Sequence, residues 1–416
     1  MNQAQALKIL QAGHNIFLTG SAGTGKTFLL NQFIEYLKKK NIKVGVTAST
    51  GIAATHINGR TIHAWMGMGI SQTMDDKQLK KLKKNQEVRD RIKYTKILII
   101  DEISMLDADR LDLIDKICKA IKDPFAPFGG MQVVMCGDFF QLPPIDKNGE
   151  ARLAYDSIIW KSGKIKVCYL EEQFRQNDLR FVKILNQIRA NQAGEEELAL
   201  LKQHSSKATK PSIRPTKLYA HNIDVDVIND RELASISGEE IIYDMSIQGP
   251  RDLVNYLKRS CLAPAELKLK VGAMVMFVKN NFKAGYVNGT LAKVIGFSED
   301  GWPVVKLKNG QEIIVSTSSW SFEEGDNILA NIHQLPLRLA WAITIHKSQG
   351  MSLDSAEIDL SKSFTHGMGY VALSRVRTLD GIYLVGINQM AIKVNQAVVE
   401  KDIEFKSLSK QAEDEV

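Results

Sequence analysis

Short apolar runs at residues 15–19, 43–48, 96–100, 132–136 and 166–170 each predict a buried strand. Between them, residues 28–37, 52–56 and 106–121 carry apolar side chains at helical spacing, and residues 1–13 predict a short helix ahead of the first run. Strands alternating with helices over residues 1–170 predict a parallel, doubly wound α/β sheet whose ligand lies at the strand C-termini.

The alternation resumes later. Residues 181–190 read as a helix, and 216–220 as a strand followed by the polar turn His221-Asn222 and a helix from near Ile223. Residues 339–349 read as a helix broken at Gly350, then 356–360 as a strand, 369–375 as a helix and 381–385 as a closing strand. Residues 271–333 differ. Short β-rich runs at 271–278, 290–297, 303–307 and 311–315 are separated by Asn288-Gly289, Asp300-Gly301 and Asn309-Gly310, which are hairpin turn pairs. They predict a small antiparallel barrel or meander inserted in the second α/β half. The tail from Ser407 is polar and is expected to fray.

Chemistry enters at the end of the first strand. Gly20-Ser-Ala-Gly-Thr-Gly-Lys26-Thr27 fits GxxxxGK[ST] between a strand and a helix, the context of a phosphate-binding loop. Glycines let backbone N–H groups turn inward, and the helix N-terminus adds partial positive charge. Lys26 is placed to reach the β- and γ-phosphates of ATP, and Thr27 to hold Mg²⁺. The strand at 96–100 ends in Asp101-Glu102, one acid to complete the Mg²⁺ shell and one to activate water. Gln141 follows another strand tip and suits γ-phosphate sensing or water positioning. Gln3 and Gln5, just upstream of the loop, either read an adenine edge or are ordinary surface glutamines. Ser49-Thr50-Gly51 offers hydroxyls and amides to phosphate oxygens, or is simply a helix cap. The lysine-rich stretch 71–96 is a small helical insertion with a solvated face, or a basic element beside nucleic acid.

Charge adjusts this picture little. A net charge of +7 and an isoelectric point near 9.0 favour a polyanionic partner without naming one. Four widely spaced cysteines without a CxxC pair argue against a zinc site or a disulfide framework. No apolar run approaches a membrane span and no signal-peptide pattern opens the chain, so an intracellular, cytoplasmic location is expected.

Further segments fall in a telling order: TASTGIAA at 47–54, GRTIHAW at 59–65, IIDEISMLDA at 99–108, GDFFQLPP at 137–144, EEQFRQ at 171–176, AITIHKSQGMSLD at 342–354 and YVALSR at 370–375. With the phosphate loop, they resemble the B branch of the superfamily-one DNA helicases, most closely the petite-integration-frequency (Pif-type) family, relatives of RecD. The resemblance implies two RecA-like domains with ATP in the cleft between them. The first spans 1–172 with a strand-separating wedge at 66–95. The second spans 173–270 and 334–416, interrupted by the β-barrel insertion at 271–333. It implies an ATP-dependent 5′-to-3′ DNA helicase with ATP and Mg²⁺ as cofactors.

By the same resemblance, Lys26, Asp101, Glu102 and Gln141 are catalytic, and Arg175 and Arg375 are arginine fingers on the γ-phosphoryl. Nucleotide contacts fall on Gln3, Gly20, Ala22, Gly23, Thr24, Gly25, Lys26, Thr27, Phe28 and Gly350. The DNA track takes Thr47, Ser49, Thr50 and His63 from the first domain and Thr344, His346 and Lys347 from the second. Expected partners are single-stranded DNA and forked or 5′-overhang duplexes, with G-quadruplexes or RNA–DNA hybrids as further substrates, and a monomer is expected without DNA. The family usually carries glutamine two residues before the tyrosine of its last motif, where this chain has Met368. The compact length suits a bacterial or phage-like member. Two other readings compete with a DNA helicase. One is a translocase on RNA or RNA–DNA hybrids, and the other a nucleotide-gated remodeller that does not unwind.

Overall fold

In the computed structural model, the described residues are 1–69, 71–144, 152–176, 178–203, 215–219, 225–281, 283–324, 327–363 and 365–415. The His221-Asn222 turn and Ile223 lie outside them. The chain divides into two compact units, Met1–Phe174 with Glu400–Val416, and Arg175–Val399.

Unit 1 is built on six parallel strands. These are β1 (Ile16–Gly20), β2 (Val44–Ala48), β3 (Arg60–Thr61), β4 (Ile97–Asp101), β5 (Gln132–Cys136) and β6 (Lys166–Leu170), in the order β3-β2-β4-β5-β1-β6. Strands β1 and β4 are buried along their whole length, which explains why their sequences are continuous apolar runs with no alternation. The helix Lys26–Lys39 buries Leu29, Leu30, Phe33, Ile34 and Leu37 against this sheet. Because every ladder is parallel, Gly20, Ala48 and Asp101 reach the same edge, where a doubly wound sheet binds its ligand. Helices Asp76–Lys84 and Gln86–Tyr94 occupy the lysine-rich stretch and anchor on Leu82, Val88 and Ile92.

The C-terminal tail corrects an expectation. It does not fray and it does not join the second unit. Residues 396–414 form a helix, Gln396–Asp414, and from residue 400 onward it belongs to unit 1. Phe405 lies 5.0 Å from Phe17 of β1, ring centre to ring centre, and the Tyr169 hydroxyl donates to Asp402 at 3.0 Å.

Unit 2 has a parallel sheet of β7 (Thr216–Tyr219), β18 (Ala342–Thr344), β19 (Ala356–Leu360) and β20 (Ile382–Ile387), in the order β18-β7-β19-β20. The expected helix over 339–349 is therefore a strand and then a turn. All three residues of β18 are buried, and a short run buried on both faces has no periodicity to separate strand from helix. Asn229 covers this edge strand, its amide donating to the Ala342 carbonyl at 3.1 Å and accepting from the Ala342 N–H at 3.0 Å.

The antiparallel part of unit 2 uses the strands expected from the hairpin turns and several more. Strands β11 (Met274–Phe277), β12 (Leu291–Phe297), β13 (Pro303–Leu307), β14 (Glu312–Ile314) and β17 (Leu337–Leu339) form one sheet, ordered β14-β13-β12-β11-β17. Gly301 and Gly310 sit at φ of +78° and +88°, as the β12–β13 and β13–β14 hairpin turns require. Asn288-Gly289 is not the expected hairpin turn: the Asn281–Tyr286 bridge lies between it and β11, and Gly289, at φ +94°, packs against the Ser352 main chain. Strands β9 (Ser246–Gln248), β15 (Ser318–Glu324) and β16 (Asn327–Gln334) form a second sheet, and β8 (Ile241–Asp244) pairs with β10 (Glu266–Leu269). The antiparallel region thus starts before residue 271, and among the described residues its strands pair as separate sheets.

Candidate nucleotide and nucleic-acid site

The phosphate loop leaves β1 and enters the helix Lys26–Lys39 without any side-chain cap, so the helix N-terminus presents its first amides to the loop's interior. Gly20 has φ +144°, and a Cβ there would come within 2.5 Å of the Leu170 carbonyl oxygen. Gly25, at φ +79°, would collide with the Gln3 amide if it carried a side chain. Close approach to the Leu170 main chain demands glycine at position 20, and the left-handed backbone demands it at position 25, where the Gln3 side chain could swing aside. The Lys26 ammonium donates to the carbonyls of Gly20 at 2.8 Å and Ser21 at 3.0 Å, which fixes it over the loop. Thr27 and Phe28 are exposed at the mouth.

Asp101 is buried at the end of β4. Burial raises its pKa above the ordinary carboxylate value, opposed by a hydrogen bond from Cys136, the Glu102 N–H and the charge of Lys26. A hard-oxygen carboxylate kept from water beside a cradle of amides fits a divalent cation brought in with a polyphosphate. Glu102 is held at φ +52°, ψ +47°, a left-handed conformation that costs a non-glycine residue energy. Ser49 secures it: its N–H donates to the Asp101 carbonyl at 3.0 Å and its hydroxyl to the Glu102 carbonyl at 2.7 Å. Gln141 is buried in the turn after β5, its amide 3.5 Å from Asp138.

Of the two upstream glutamines, Gln3 meets the loop, its amide nitrogen 3.4 Å from the Thr24 carbonyl and 3.5 Å from that of Gly25. Gln5 is spent on the helix cap at Asn2 and on Glu413.

The proposed DNA contacts separate into two kinds. Thr47 is wholly buried in β2 and its hydroxyl donates to the Ile99 carbonyl at 2.5 Å, so it is no surface contact. The row of β2 that carries Gly45 and Thr47 is buried, while Val44 and Val46 of the opposite row are partly exposed. Thr50 is half-buried, and its hydroxyl accepts from the Ala53 N–H. The half-buried His63 has its pKa lowered by burial and by Arg110, with Asp107 opposing. In unit 2, Thr344 is buried at the tip of β18 and its hydroxyl accepts from the Lys347 N–H at 3.2 Å, which shapes the turn presenting His346 and Lys347. Burial lowers the His346 pKa as well. Gly350 closes the turn, exposed, at φ +78°.

Unit 2 also brings the two arginines together. Arg375 ends the helix Met368–Ser374 and is buried, Nε donating to the Val371 carbonyl and Nη2 to the Ser374 hydroxyl, each at 2.9 Å. Arg175 donates to the Ser374 carbonyl at 3.2 Å. Met368 is buried at the start of that helix.

Sequence reasoning missed two glutamines of EEQFRQ. Gln173 donates to the Ser21 hydroxyl and the Ala22 carbonyl, both at 2.9 Å, and Gln176 to the carbonyls of Ser374 and Val376. The pattern held a signal, since the two sit three apart on either side of Phe174-Arg175.

A glycine cradle, a cationic lysine over it and a buried acid on an adjoining strand tip define a nucleotide-hydrolysing enzyme of the phosphate-loop class, here with a second parallel-sheet unit bearing two arginines. The chain belongs to the PIF1-like helicase family. The model of that family matches residues 1–196, and a model of the DNA helicase Pif1 2B domain matches residues 252–297. The chain is 41% identical over 474 residues to the ATP-dependent DNA helicase Pif1 of Psychrobacter sp. (strain PRwf-1), spanning 99% of this chain and 72% of that protein. It is similar to the crystal structure of Bacteroides sp Pif1 in complex with ADP-AlF4, with a TM-score of 0.84 and 33% identity over 97% of this chain and 96% of that one. The Bacteroides protein with ADP-AlF3 and ssDNA aligns over the same shares at 33% identity with a TM-score of 0.66. These neighbours establish the two parallel-sheet units as RecA-like.

Proposed function

We propose that the chain couples ATP hydrolysis to 5′-to-3′ movement on single-stranded DNA, and that this movement opens duplexes at forks and 5′ overhangs. As a member of its family it is an ATP-dependent DNA helicase. The observation that carries the reading is the loop itself, with Lys26 seated over it and Asp101 within its electrostatic reach.

Lys26 would release the loop carbonyls to bind the β- and γ-phosphates, and the exposed helix amides would take the remaining oxygens. Thr27 and Asp101 would hold Mg²⁺. No three His, Cys, Asp or Glu side chains gather as a metal site among the described residues, which suits an ion that takes most of its ligands from phosphates and water. Mg²⁺ held there would supply charge neutralisation to the phosphates. Glu102 would orient and deprotonate the attacking water, with Gln141 positioning it. Arg175 and Arg375 would stabilise charge on the transferring phosphoryl. Gln3 would read the adenine edge, beside the nucleotide contacts from Gly20 to Phe28 and at Gly350.

The DNA track would use Ser49, Thr50 and His63 from unit 1 and the turn of Thr344, His346 and Lys347 from unit 2. Such contacts address the phosphate backbone and read no sequence, as a motor requires. The helices over 76–94 would serve as the separating wedge. G-quadruplexes and RNA–DNA hybrids would be further substrates, since a backbone track does not select base pairing. No helix among the described residues is long and apolar enough to cross a membrane.

The test is ATP turnover with and without single-stranded DNA, followed by unwinding of duplexes with a 5′ or a 3′ overhang. The expected result is strong stimulation, with unwinding from the 5′ overhang alone. Unwinding from the 3′ overhang would overturn the polarity, and stimulation without unwinding would leave a translocase.

A further inference from the structure

Residues 171–176 leave β6 without regular structure, yet each of residues 173–176 is hydrogen-bonded to a distant part of the chain. Gln173 spends both amide hydrogens on the loop, on the Ser21 hydroxyl and the Ala22 carbonyl, and the Phe174 N–H donates to the Gly23 carbonyl at 2.9 Å. Three bonds thus fall on three successive loop residues. Three positions further on, Gln176 is buried and spends its amide hydrogens on the carbonyls of Ser374 at 3.1 Å and Val376 at 3.2 Å. These are the residues on either side of Arg375. Arg175 adds a bond to the Ser374 carbonyl. The division between the two units falls between Phe174 and Arg175.

Among the described residues, the side-chain carbonyl oxygens of Gln173 and Gln176 are buried and make no hydrogen bond. Folding alone disfavours a buried, unsatisfied acceptor. Each glutamine is therefore anchored through its NH₂ side only, an arrangement that can be exchanged for another when its partner moves. The partner of Gln173 has reason to move. Lys26 bonds to the carbonyls of Gly20 and Ser21, and a bound polyphosphate would draw it away from both.

We propose that Gln173 and Gln176 are positioning residues that make residues 171–176 a strap, carrying the state of the phosphate loop to the turn that holds Arg375. This rests on the reading of Arg375 as a group that serves hydrolysis. Gln173 sets the loop, and Gln176 sets the main chain on both sides of Arg375 while leaving its guanidinium to act.

The experiment is steady-state ATP turnover of the full chain at saturating single-stranded DNA, with wild type, Gln173→Ala, Gln176→Ala and the double variant, alongside thermal melts. For Gln176→Ala, kcat should fall about 10-fold with KM for ATP within roughly 2-fold of wild type, because the loop is untouched. For Gln173→Ala, KM should rise about 5-fold and kcat should also fall. The double variant should have a kcat no lower than the worse single variant, since one strap is being cut twice. Reductions in kcat that multiply in the double variant, or an unchanged kcat in Gln176→Ala, would overturn the strap. If Gln176→Ala melts early, Gln176→Glu keeps the side chain's size but removes both donors, and the same kcat criterion applies to it. Wild type without any stimulation by DNA would sink the helicase reading instead, and that result is independent of the variants.

Discussion

The Ser49 hydroxyl donates to the main-chain carbonyl of Glu102 at 2.7 Å, joining a segment proposed to touch DNA to the acid proposed to activate water. Glu102 sits in the left-handed region, where a non-glycine residue stays only if its surroundings hold it. Ser49→Ala removes the side-chain tie and leaves the backbone bond to Asp101. We expect kcat at saturating DNA to fall about 10-fold, with a stability loss of about 1 kcal/mol. The discriminating measurement is a DNA titration of ATP turnover. A weaker DNA affinity with full kcat at saturation would reduce Ser49 to a simple DNA contact.

Arg375 presents a different balance. Its guanidinium is buried and bonded to the Val371 carbonyl and the Ser374 hydroxyl, so reaching a phosphate means leaving those bonds. Arg375→Ala should bind nucleotide as wild type does but lose DNA-stimulated turnover by about 10³-fold. Arg375→Lys should not restore it, because an ammonium cannot reproduce the planar fork of donors. Equilibrium binding of a fluorescent ADP analogue, together with turnover, tests both halves. Full stimulation in either variant would remove Arg375 from the finger role.

Lys26→Ala deletes the cation over the phosphate loop without touching the core, since the side chain is half-buried and its ammonium donates to the loop carbonyls of Gly20 and Ser21. Hydrolysis should drop by about 100-fold or more while single-stranded DNA still binds. Fluorescence anisotropy with a labelled oligonucleotide gives the binding arm. Unchanged turnover would dismiss the phosphate-loop assignment.

The pH dependence follows from three imidazoles: burial lowers the pKa of His56 to about 4, and His63 and His346 shift in the same direction. Burial holds both His63 and His346 below the ordinary value of 6.5, with Arg110 adding to the effect at His63 and Asp107 opposing it. The unfolded chain therefore takes up these protons at a higher pH than the folded one. Their contribution to stability is complete above about pH 6.5 and shrinks as pH falls from there through the lowered folded values. The melting temperature should decline between pH 7.5 and pH 5.5, and less steeply in a His63→Gln, His346→Gln variant. Identical slopes would mean that neither ring is held neutral by the fold.

The parts of the molecule that could be read from the chain are those whose cause is local. Gly20 and Gly25 mark the loop, Gly301 and Gly310 mark hairpins, and the acids at 101 and 102 mark a strand tip, because each depends on neighbours a few residues away. Long-range partners left weaker traces. Thr47 matched a motif, yet its hydroxyl is claimed by Ile99 on the adjacent strand. Residues 342–344 are buried throughout and gave no period to separate strand from helix. Gln173 and Gln176 look like ordinary polar residues until the loop and the Arg375 turn are in place around them.

The C-terminal helix is the clearest case of a distant cause, and it can be tested directly. Its sequence is rich in charge, so residues 407–416 read as a solvated tail. In the fold, Phe405 enters an aromatic cluster with Phe17, Phe139, Tyr155 and Trp160, and Phe17 lies on the strand that leads into the phosphate loop. One turn away, Asp402 accepts from the Tyr169 hydroxyl and pairs with Lys406 at 2.8 Å, and Ser409 accepts from the Tyr169 N–H. Phe405→Ala should cost about 3–5 kcal/mol, the range for truncating a buried aromatic residue. Tyr169→Phe should cost about 1–3 kcal/mol, since it strips a hydrogen bond from a buried carboxylate. Urea unfolding, followed with and without ADP, distinguishes a packed helix from a tail. If it is packed, Phe405→Ala lowers the midpoint and ADP recovers part of the loss, because nucleotide binds only the folded loop. A midpoint equal to that of wild type would mean that the helix contributes nothing to the unit it covers.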